Sequence, residues 1–333
     1  MNFSNRKIDE FAGASNFVWF FGVVEDRKDP LNTGRVRVRC YGWHTDNRSE
    51  LPTSSLPWAQ VMMPANSASI SGIGISPTGL VEGTTVIGFF LDGMNAQIPM
   101  VLGSIPGISV QSSSENDKGF TDPNRKYPLE TGYPDTPKLS YDRFKEDEVY
   151  KARANTISGI ASAGGEIWTE PSYRETESKY PYAHVHKTES GHTFEVDDTP
   201  GSERIHRFHK SGSYDEFRPD GSRVTKIIGD DYELVISNKK VYVRGTCSIT
   251  IDGDSSLYVK GSLIEKIDGD HTMIIGGTQT ITAQVTNIQN DVNITGTSTA
   301  TEDHIAGEIS LKKHIHVDSF GLGAGNTTPP KKA

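Results

Sequence analysis

The sequence predicts an all-β protein in which an N-terminal domain of short strands precedes a β-helix that needs other copies of the chain to close. Two patterns indicate this: alternating apolar and polar residues near the N-terminus, and glycines at a fixed spacing near the C-terminus. The composition agrees, because 33 glycines, a hydrophobic fraction of only 34% and abundant Thr, Ser and Asp favour turns and short strands over helices.

Residues 17–106 are predicted to form a small barrel or sandwich. The segment GRVRVRCYG alternates strictly, which is typical of a half-buried strand. One face carries Val36, Val38 and Cys40, and the other carries Arg35, Arg37 and Arg39. Further strand-like runs begin at Trp58, Thr84 and Ile98, with turn residues between them. The net charge of -9 disfavours nucleic-acid binding, so we interpret the arginine face as solvated.

The remaining boundaries follow from shifts in composition. Residues 1–16 form an N-terminal arm without the apolar run of a secretory signal. Residues 107–179, rich in Pro, Ser, Asp, Glu and Tyr, are predicted to be an extended linker, and strands resume in residues 180–312. The cysteines, Cys40 and Cys247, are expected to be reduced, packed thiols in a chain assembled in a reducing compartment.

Glycines recur every eight residues in the C-terminal third. The glycines in this register are Gly221, Gly229, Gly245, Gly253, Gly261, Gly269 and Gly277, and Ser237 fills the gap. With the glycine as position one, position seven is apolar in every octad from Ile227 to Ala283, and position five is apolar in most. These two positions share one face of a strand. Each octad is therefore predicted to be a turn, at which glycine allows positive φ, followed by a strand with two inward apolar residues.

One chain cannot close such a structure with eight residues per rung, because a strand of about five residues covers only about 16 Å. Three chains supply about 24 residues per turn, which is enough for a triangular prism whose strand edges are all paired. A single-chain solenoid with two or three octads per rung is the alternative. After Ala283 the octad rule fades, and the register of the following residues is open.

Several segments together resemble a known family. The N-terminal run GVVEDRKDPLNTGRVRVRCYGWH, with LPWAQVMMP, VEGTTVIGFFLDG and IPMVLGSIPG, resembles the OB-fold domain of central baseplate spike proteins. Such spikes occur in T-even-like contractile phages, and VgrG is their type VI secretion counterpart. The stretch from Tyr180 to Lys226 resembles the start of the spike's β-helix. The resemblance implies an all-β chain with an N-terminal OB-fold barrel and a C-terminal intertwined trimeric β-helix.

The resemblance also implies a function. The chain is expected to be a homotrimeric needle in the virion's tail baseplate, assembled in the host cytoplasm and driven through the bacterial outer membrane on sheath contraction. Its OB-fold collar is expected to contact baseplate hub and tail tube proteins, without nucleic acid as a partner. The alternatives are a VgrG-like spike carrying an effector and a trimeric tail fibre that binds envelope glycan.

We expect no enzymatic activity. The T-even spike carries a lysozyme domain between barrel and needle, but the interval here is too short for that domain. The acidic run Glu146, Asp147 and Glu148 is most simply solvated charge, because two-carboxylate glycosidase chemistry needs a cleft that separates the acids.

Two His-x-His pairs require separate interpretations. His184 and His186 are predicted to be exposed strand residues. His314 and His316 lie in the tip segment 313–333, where three chains would supply six imidazoles, a shell that suits iron(II) better than tetrahedral zinc. The segment also resembles the tip of simpler phage spikes, where such a pair closes the point around iron. The alternative is an uncharged cap or a docking surface for a separate tip protein.

Overall fold

The computed structural model describes residues 17–106, 118–126, 156–171 and 178–313. The chain divides into one unit from Met1 to Asp254 and another from Ser255 to Ala333. Within the described part of the chain, no helix is long and apolar enough to cross a membrane.

A closed five-stranded barrel occupies the N-terminal domain. Its strands are β1 (Val18–Asp26), β2 (Val36–Cys40), β3 (Trp58–Val61), β4 (Thr85–Phe90) and β5 (Pro99–Ser104). They follow one another around the barrel in the order β1-β2-β3-β5-β4, and only β3 and β5 run parallel. Short 3-10 helices span Thr53–Ser55 and Gly93–Asn95. The all-β prediction for this domain is thereby confirmed.

The barrel interior is filled by alternate residues of these strands. The buried cluster comprises Phe20, Val24, Val36, Val38, Cys40, Ala59, Val86, Phe90, Ala96 and Val101. Val36, Val38 and Cys40 face inward as the alternation predicts. Gly88 lies against this core so closely that a β-carbon there would be 2.2 Å from the carbonyl oxygen of Met100.

An antiparallel five-stranded sheet follows within the same unit. Its strands are β8 (Ala183–Lys187), β9 (Thr193–Asp197), β10 (Arg204–Phe208), β11 (Tyr214–Phe217) and β12 (Arg223–Lys226), paired in sequence order. Turns at 198–201 and 219–221 join β9 to β10 and β11 to β12, and Gly201 and Gly221 take positive φ there. Between barrel and sheet, β6 (Ile160–Ala161) pairs with β7 (Ile167–Trp168).

From Ile227 to Glu302 every residue is exposed, and no strand is assigned. Bends recur at 228–229, 236–237, 244–245, 252–253, 260–261, 268–269 and 276–277, which is the predicted octad spacing. A short hairpin of β13 (Ile305–Ala306) and β14 (Ile309–Ser310) follows. The strand pairing that a β-helix requires is not formed within this segment of one chain.

Most octad corners do not use the positive φ that glycine allows. Gly221 has a φ of 81°, but none of the six later glycines of the register lies in the positive-φ region. A β-carbon at those glycines would also meet no atom of the chain within 4 Å. Neither local conformation nor intrachain crowding therefore requires glycine at these corners.

Candidate assembly surfaces

The octad segment presents a large apolar surface that the described residues of the chain do not cover. Position-five and position-seven residues are open to solvent: Leu257 and Ile249 are each 77% exposed, and Ile251 is 56% exposed. Exposed apolar patches of this extent mark interaction sites, because each apolar Å² removed from water contributes roughly 25 cal/mol. Cys247, predicted to be packed, is also exposed, whereas Cys40 is buried and burial raises the pKa of its thiol to about 12.

The arginine face of β2 is not solvated, so that prediction is wrong. Each arginine has an acidic partner from the end of β1 or the turn after it. Arg35 pairs with Asp29 at 2.6 Å, Arg37 with Asp26 at 3.7 Å, and Arg39 with Glu25 at 2.7 Å. Hydrogen bonds, first from Arg35 and then from Thr33 and the backbone, hold the pKa of Asp29 well below its usual range. These pairings neutralise the positive field that a nucleic-acid surface needs.

Glu25 is the centre of a buried polar cluster at one end of the barrel. Its carboxylate and the Arg39 guanidinium have no exposed side-chain area. The carboxylate accepts hydrogen bonds from Arg39 Nε at 2.7 Å, Thr53 Oγ1 at 2.7 Å and the Phe120 amide at 2.9 Å. Arg39 also donates to the carbonyl oxygens of Thr45 and Leu51, both at 2.7 Å. A buried ion pair needs such additional partners, because desolvation otherwise exceeds the Coulombic gain.

The amide of Phe120 belongs to residues 118–126, which we call the clasp. This segment lies on the same end of the barrel. The Phe120 ring stacks on Tyr41 with centroids 4.1 Å apart and planes 5° apart, and burial raises the pKa of Tyr41. Arg48 donates to the carbonyl oxygen of Thr121 at 2.9 Å, and Lys118 forms a β-bridge with Asn47. A β-carbon at Gly119 would be 2.3 Å from Arg39 Nε, so glycine permits the close approach.

A second polar cluster lies on one face of the five-stranded sheet. Arg204 donates to Glu195 at 2.9 Å and to Glu216 at 2.8 Å, and all three side chains are almost fully buried. His206 Nδ1 lies 3.1 Å from Glu216. Burial lowers the pKa of His206, although the hydrogen bond to Glu216 opposes that shift. The buried face of this sheet therefore combines a polar cluster with an apolar one formed by Phe208 and Tyr214.

The structure describes one of the two His-x-His pairs. His184 and His186 lie on β8 and are exposed, as predicted, and His184 lies 3.5 Å from Asp198. His314 and His316 lie outside the described residues, as do Glu146, Asp147 and Glu148. Within the ranges that the structure describes, no cluster of three or more His, Cys, Asp or Glu residues could hold a metal ion.

Sequence reasoning did not identify Glu25 or Phe120 as important. An isolated glutamate after a strand is normally solvated, and a phenylalanine in a polar linker has no periodic context. The one available signal was the match in number between the arginines of β2 and the acids at 25, 26 and 29.

Known proteins are similar to this chain in sequence. Residues 42–205 match the family of the Gp5 N-terminal OB domain. The chain is 40% identical over 279 residues to Protein Gp5 of Vibrio phage KVP40, which covers 74% of this chain and 66% of that protein. This chain is thus similar in sequence to phage Gp5 proteins. The resemblance predicted from the sequence is thereby confirmed, and the five-stranded barrel agrees with an OB domain.

A second relative is the pre-baseplate central spike protein Gp5 of Enterobacteria phage T4. It is 48% identical over 124 residues, which cover 36% of this chain and 21% of the T4 protein. The chain therefore spans just under two thirds of the Vibrio phage relative and about a fifth of the T4 relative.

Proposed function

We propose that this chain is the central spike protein of a phage tail baseplate and acts as a homotrimeric needle. The observation that carries the proposal is the octad segment, which exposes its regularly spaced apolar residues along one chain. A relative named as a baseplate central spike protein supports the same role and a location in the virion's tail baseplate.

Two features of the octads support closure by other chains. The inward positions five and seven gain a dry interior only if neighbouring copies cover them, and the unpaired backbone gains strand partners at the same time. The six register glycines after Gly221 are required neither by φ nor by contacts within the described part of the chain. Close approach of a neighbouring backbone is the remaining reason for glycine at these corners. About 24 residues per turn makes three the preferred number of chains.

The proposed spike works by stiffness rather than by catalysis. A β-prism with paired backbone and a dry core resists bending, so thrust applied at the collar reaches the tip. The barrel is the proposed collar that contacts baseplate hub and tail tube proteins, and the bacterial outer membrane is the proposed target. The neutralised arginine face of β2 supports partners other than nucleic acid.

The tip proposal rests on sequence position alone. His314 and His316 from each of three chains would bind one iron(II) ion through six imidazole nitrogens. Such a site would tie the three chains together at their ends, since a metal held by all three stabilises the assembled state. A separate tip protein is the alternative occupant of this end.

The test of the spike proposal is sedimentation equilibrium of the purified full chain together with metal analysis. We expect a mass of three chains and one iron per trimer, with the iron lost and the trimer retained in a His314→Ala/His316→Ala variant. A monomer of the native chain would overturn the needle, and a trimer whose metal content ignores the double substitution would overturn the tip site. Absence of the chain from purified tails would overturn the baseplate role.

A further inference from the structure

The clasp joins two parts of the first unit that are far apart in sequence. At one end it is bound to the barrel through Glu25, Tyr41 and Arg48. At its other end, Lys126 Nζ lies 3.2 Å from Oε1 of Glu189, which belongs to the hairpin connecting β8 and β9. The clasp thus spans from the buried end of the barrel to the edge of the five-stranded sheet.

Glu189 is held from the barrel as well. Arg27 donates both terminal nitrogens to it, at 2.7 and 2.8 Å, and its Nε lies 3.2 Å from Glu82. Single exposed ion pairs contribute little, but a bidentate arginine within a network of four charges is the arrangement that does fix geometry. The barrel, the clasp and the sheet therefore meet at one carboxylate.

The clasp has an internal structure that suits this role. Asp122 accepts hydrogen bonds from the amides of Asn124 at 2.8 Å and Lys126 at 2.7 Å, so a side chain holds its turn. The clasp contacts a buried group on the barrel and an exposed group on the sheet. The Glu25 carboxylate is inaccessible, whereas the Glu189 side chain is 37% exposed. Loss of the contact between Lys126 and Glu189 should therefore let the sheet move relative to the barrel without unfolding the barrel.

We propose that residues 118–126 are a docked strut that fixes the orientation of the barrel on the five-stranded sheet, with Phe120 and Glu189 as its two positioning residues. Without the strut, the exposed pair of Arg27 with Glu189 would remain between barrel and sheet, and a single exposed pair contributes little to holding an orientation. With the clasp docked, the barrel and the sheet move as one body, so a force on the barrel reaches the sheet without hinge motion. The benefit to a spike rests on the proposed function, whereas the coupling itself does not.

The test measures the barrel-to-sheet distance by electron spin resonance in the full chain. One spin label replaces Leu31, an exposed turn residue of the barrel, and the other replaces Lys210, between β10 and β11. Cys247, which is exposed, is changed to Ser, while buried Cys40 stays unlabelled. Labelled chains are diluted with unlabelled ones, so that only distances within one chain contribute whatever the oligomeric state.

We expect one narrow distance distribution in the native chain and loss of that narrow peak in Glu189→Gln and in Phe120→Ala. Phe120→Tyr keeps the ring stack on Tyr41 and should keep the peak. Glu203→Gln, in the turn between β9 and β10 of the same sheet, is the matched control and should also keep it.

Hydrogen exchange at the Phe120 amide shows whether the clasp has been released. Phe120→Ala should accelerate exchange of that amide at least about tenfold while the barrel core amides stay protected. The proposal is overturned if the amide exchanges faster but the distance peak stays narrow, or if Phe120→Ala changes neither readout. A failed spike proposal would appear instead as a monomer in sedimentation, which leaves both of these readouts interpretable.

Discussion

The barrel and the octad segment use similar side chains in opposite ways. In the barrel, alternate residues of five strands meet inside one chain, and Val38, Val86 and Val101 are fully buried. In the octads, apolar residues with the same alternation remain exposed from Ile227 to Val285. The difference lies in closure: five strands of one chain pair around a common core in the barrel, whereas the octads form no such pairing within one chain. An apolar pattern therefore specifies a face, and chain geometry decides which molecule covers that face.

The largest expected effect is on assembly through neighbouring octad residues. Leu257 at position five and Tyr258 at position six are 77% and 83% exposed in the single chain, but they would point in opposite directions along the strand proposed for the trimer. Leu257→Asp places a charge in the proposed dry interior and should abolish the trimer in sedimentation equilibrium. Tyr258→Asp should leave it intact. Equal behaviour of the two variants would contradict an inward and an outward face.

Next in size is the buried ion pair of the barrel. Arg39→Ala leaves the inaccessible Glu25 carboxylate uncompensated, so we expect the free energy of unfolding of the barrel to fall by about 3–5 kcal/mol. Denaturant unfolding followed by tryptophan fluorescence measures the change. Arg207→Ala is the control, because that arginine is 65% exposed beside Asp215 and should cost at most about 1 kcal/mol.

A smaller effect separates the glycines of the two regions. Gly88→Ala should lower the stability of the barrel by about 1–3 kcal/mol, because its β-carbon would overlap the Met100 carbonyl oxygen and the Phe20 ring. Gly253→Ala has room within the single chain. If neighbouring chains crowd that corner, it should nevertheless lower the melting temperature of the trimer. Scanning calorimetry of both variants decides, and an unchanged trimer with Gly253→Ala would remove the crowding argument for the octad glycines.

The smallest effect is a pH dependence in the five-stranded sheet. Partial burial would raise the pKa of Asp215, but hydrogen bonds from Arg207, Arg223 and Thr225 lower it from the ordinary 3.8 to about 2. The stabilisation is therefore complete above about pH 4 and is lost as the pH falls toward 2. As the pH falls from about 4 toward 2, the free energy of unfolding of the Asp215→Asn variant should fall by about 1 kcal/mol less than that of the native chain. Denaturant titrations at each pH measure the difference. If the native chain and the Asp215→Asn variant lose the same stability between about pH 4 and pH 2, Asp215 does not contribute to the acid-dependent loss.

The strands of the barrel could be predicted closely because their alternation is local. The predicted runs at Trp58, Thr84 and Ile98 correspond to β3, β4 and β5. The arginine face was mispredicted for a related reason: alternation shows that Arg39 points away from the core, but not that the clasp and Glu25 lie over it. Contacts across 95 residues, such as the Phe120 amide with Glu25, leave no periodic trace.

In the octad segment, too, only features that depend on nearby residues could be predicted from the sequence. Their spacing, their bends and their apolar face were readable from the sequence, because each depends on neighbours within eight residues. The conformation of their glycines was not, since the residue type permits positive φ without requiring it.

The sequence by itself determined that this protein is all-β, where its barrel strands lie, and that its C-terminal third repeats every eight residues. Only the tertiary structure decided that the arginines of β2 are paired, that Glu25 is buried, and that a segment of the linker binds the barrel and reaches the sheet. The physical reason is range. Strand propensity and periodicity act over a few residues, whereas burial of a charge depends on which distant groups arrive to satisfy its hydrogen bonds.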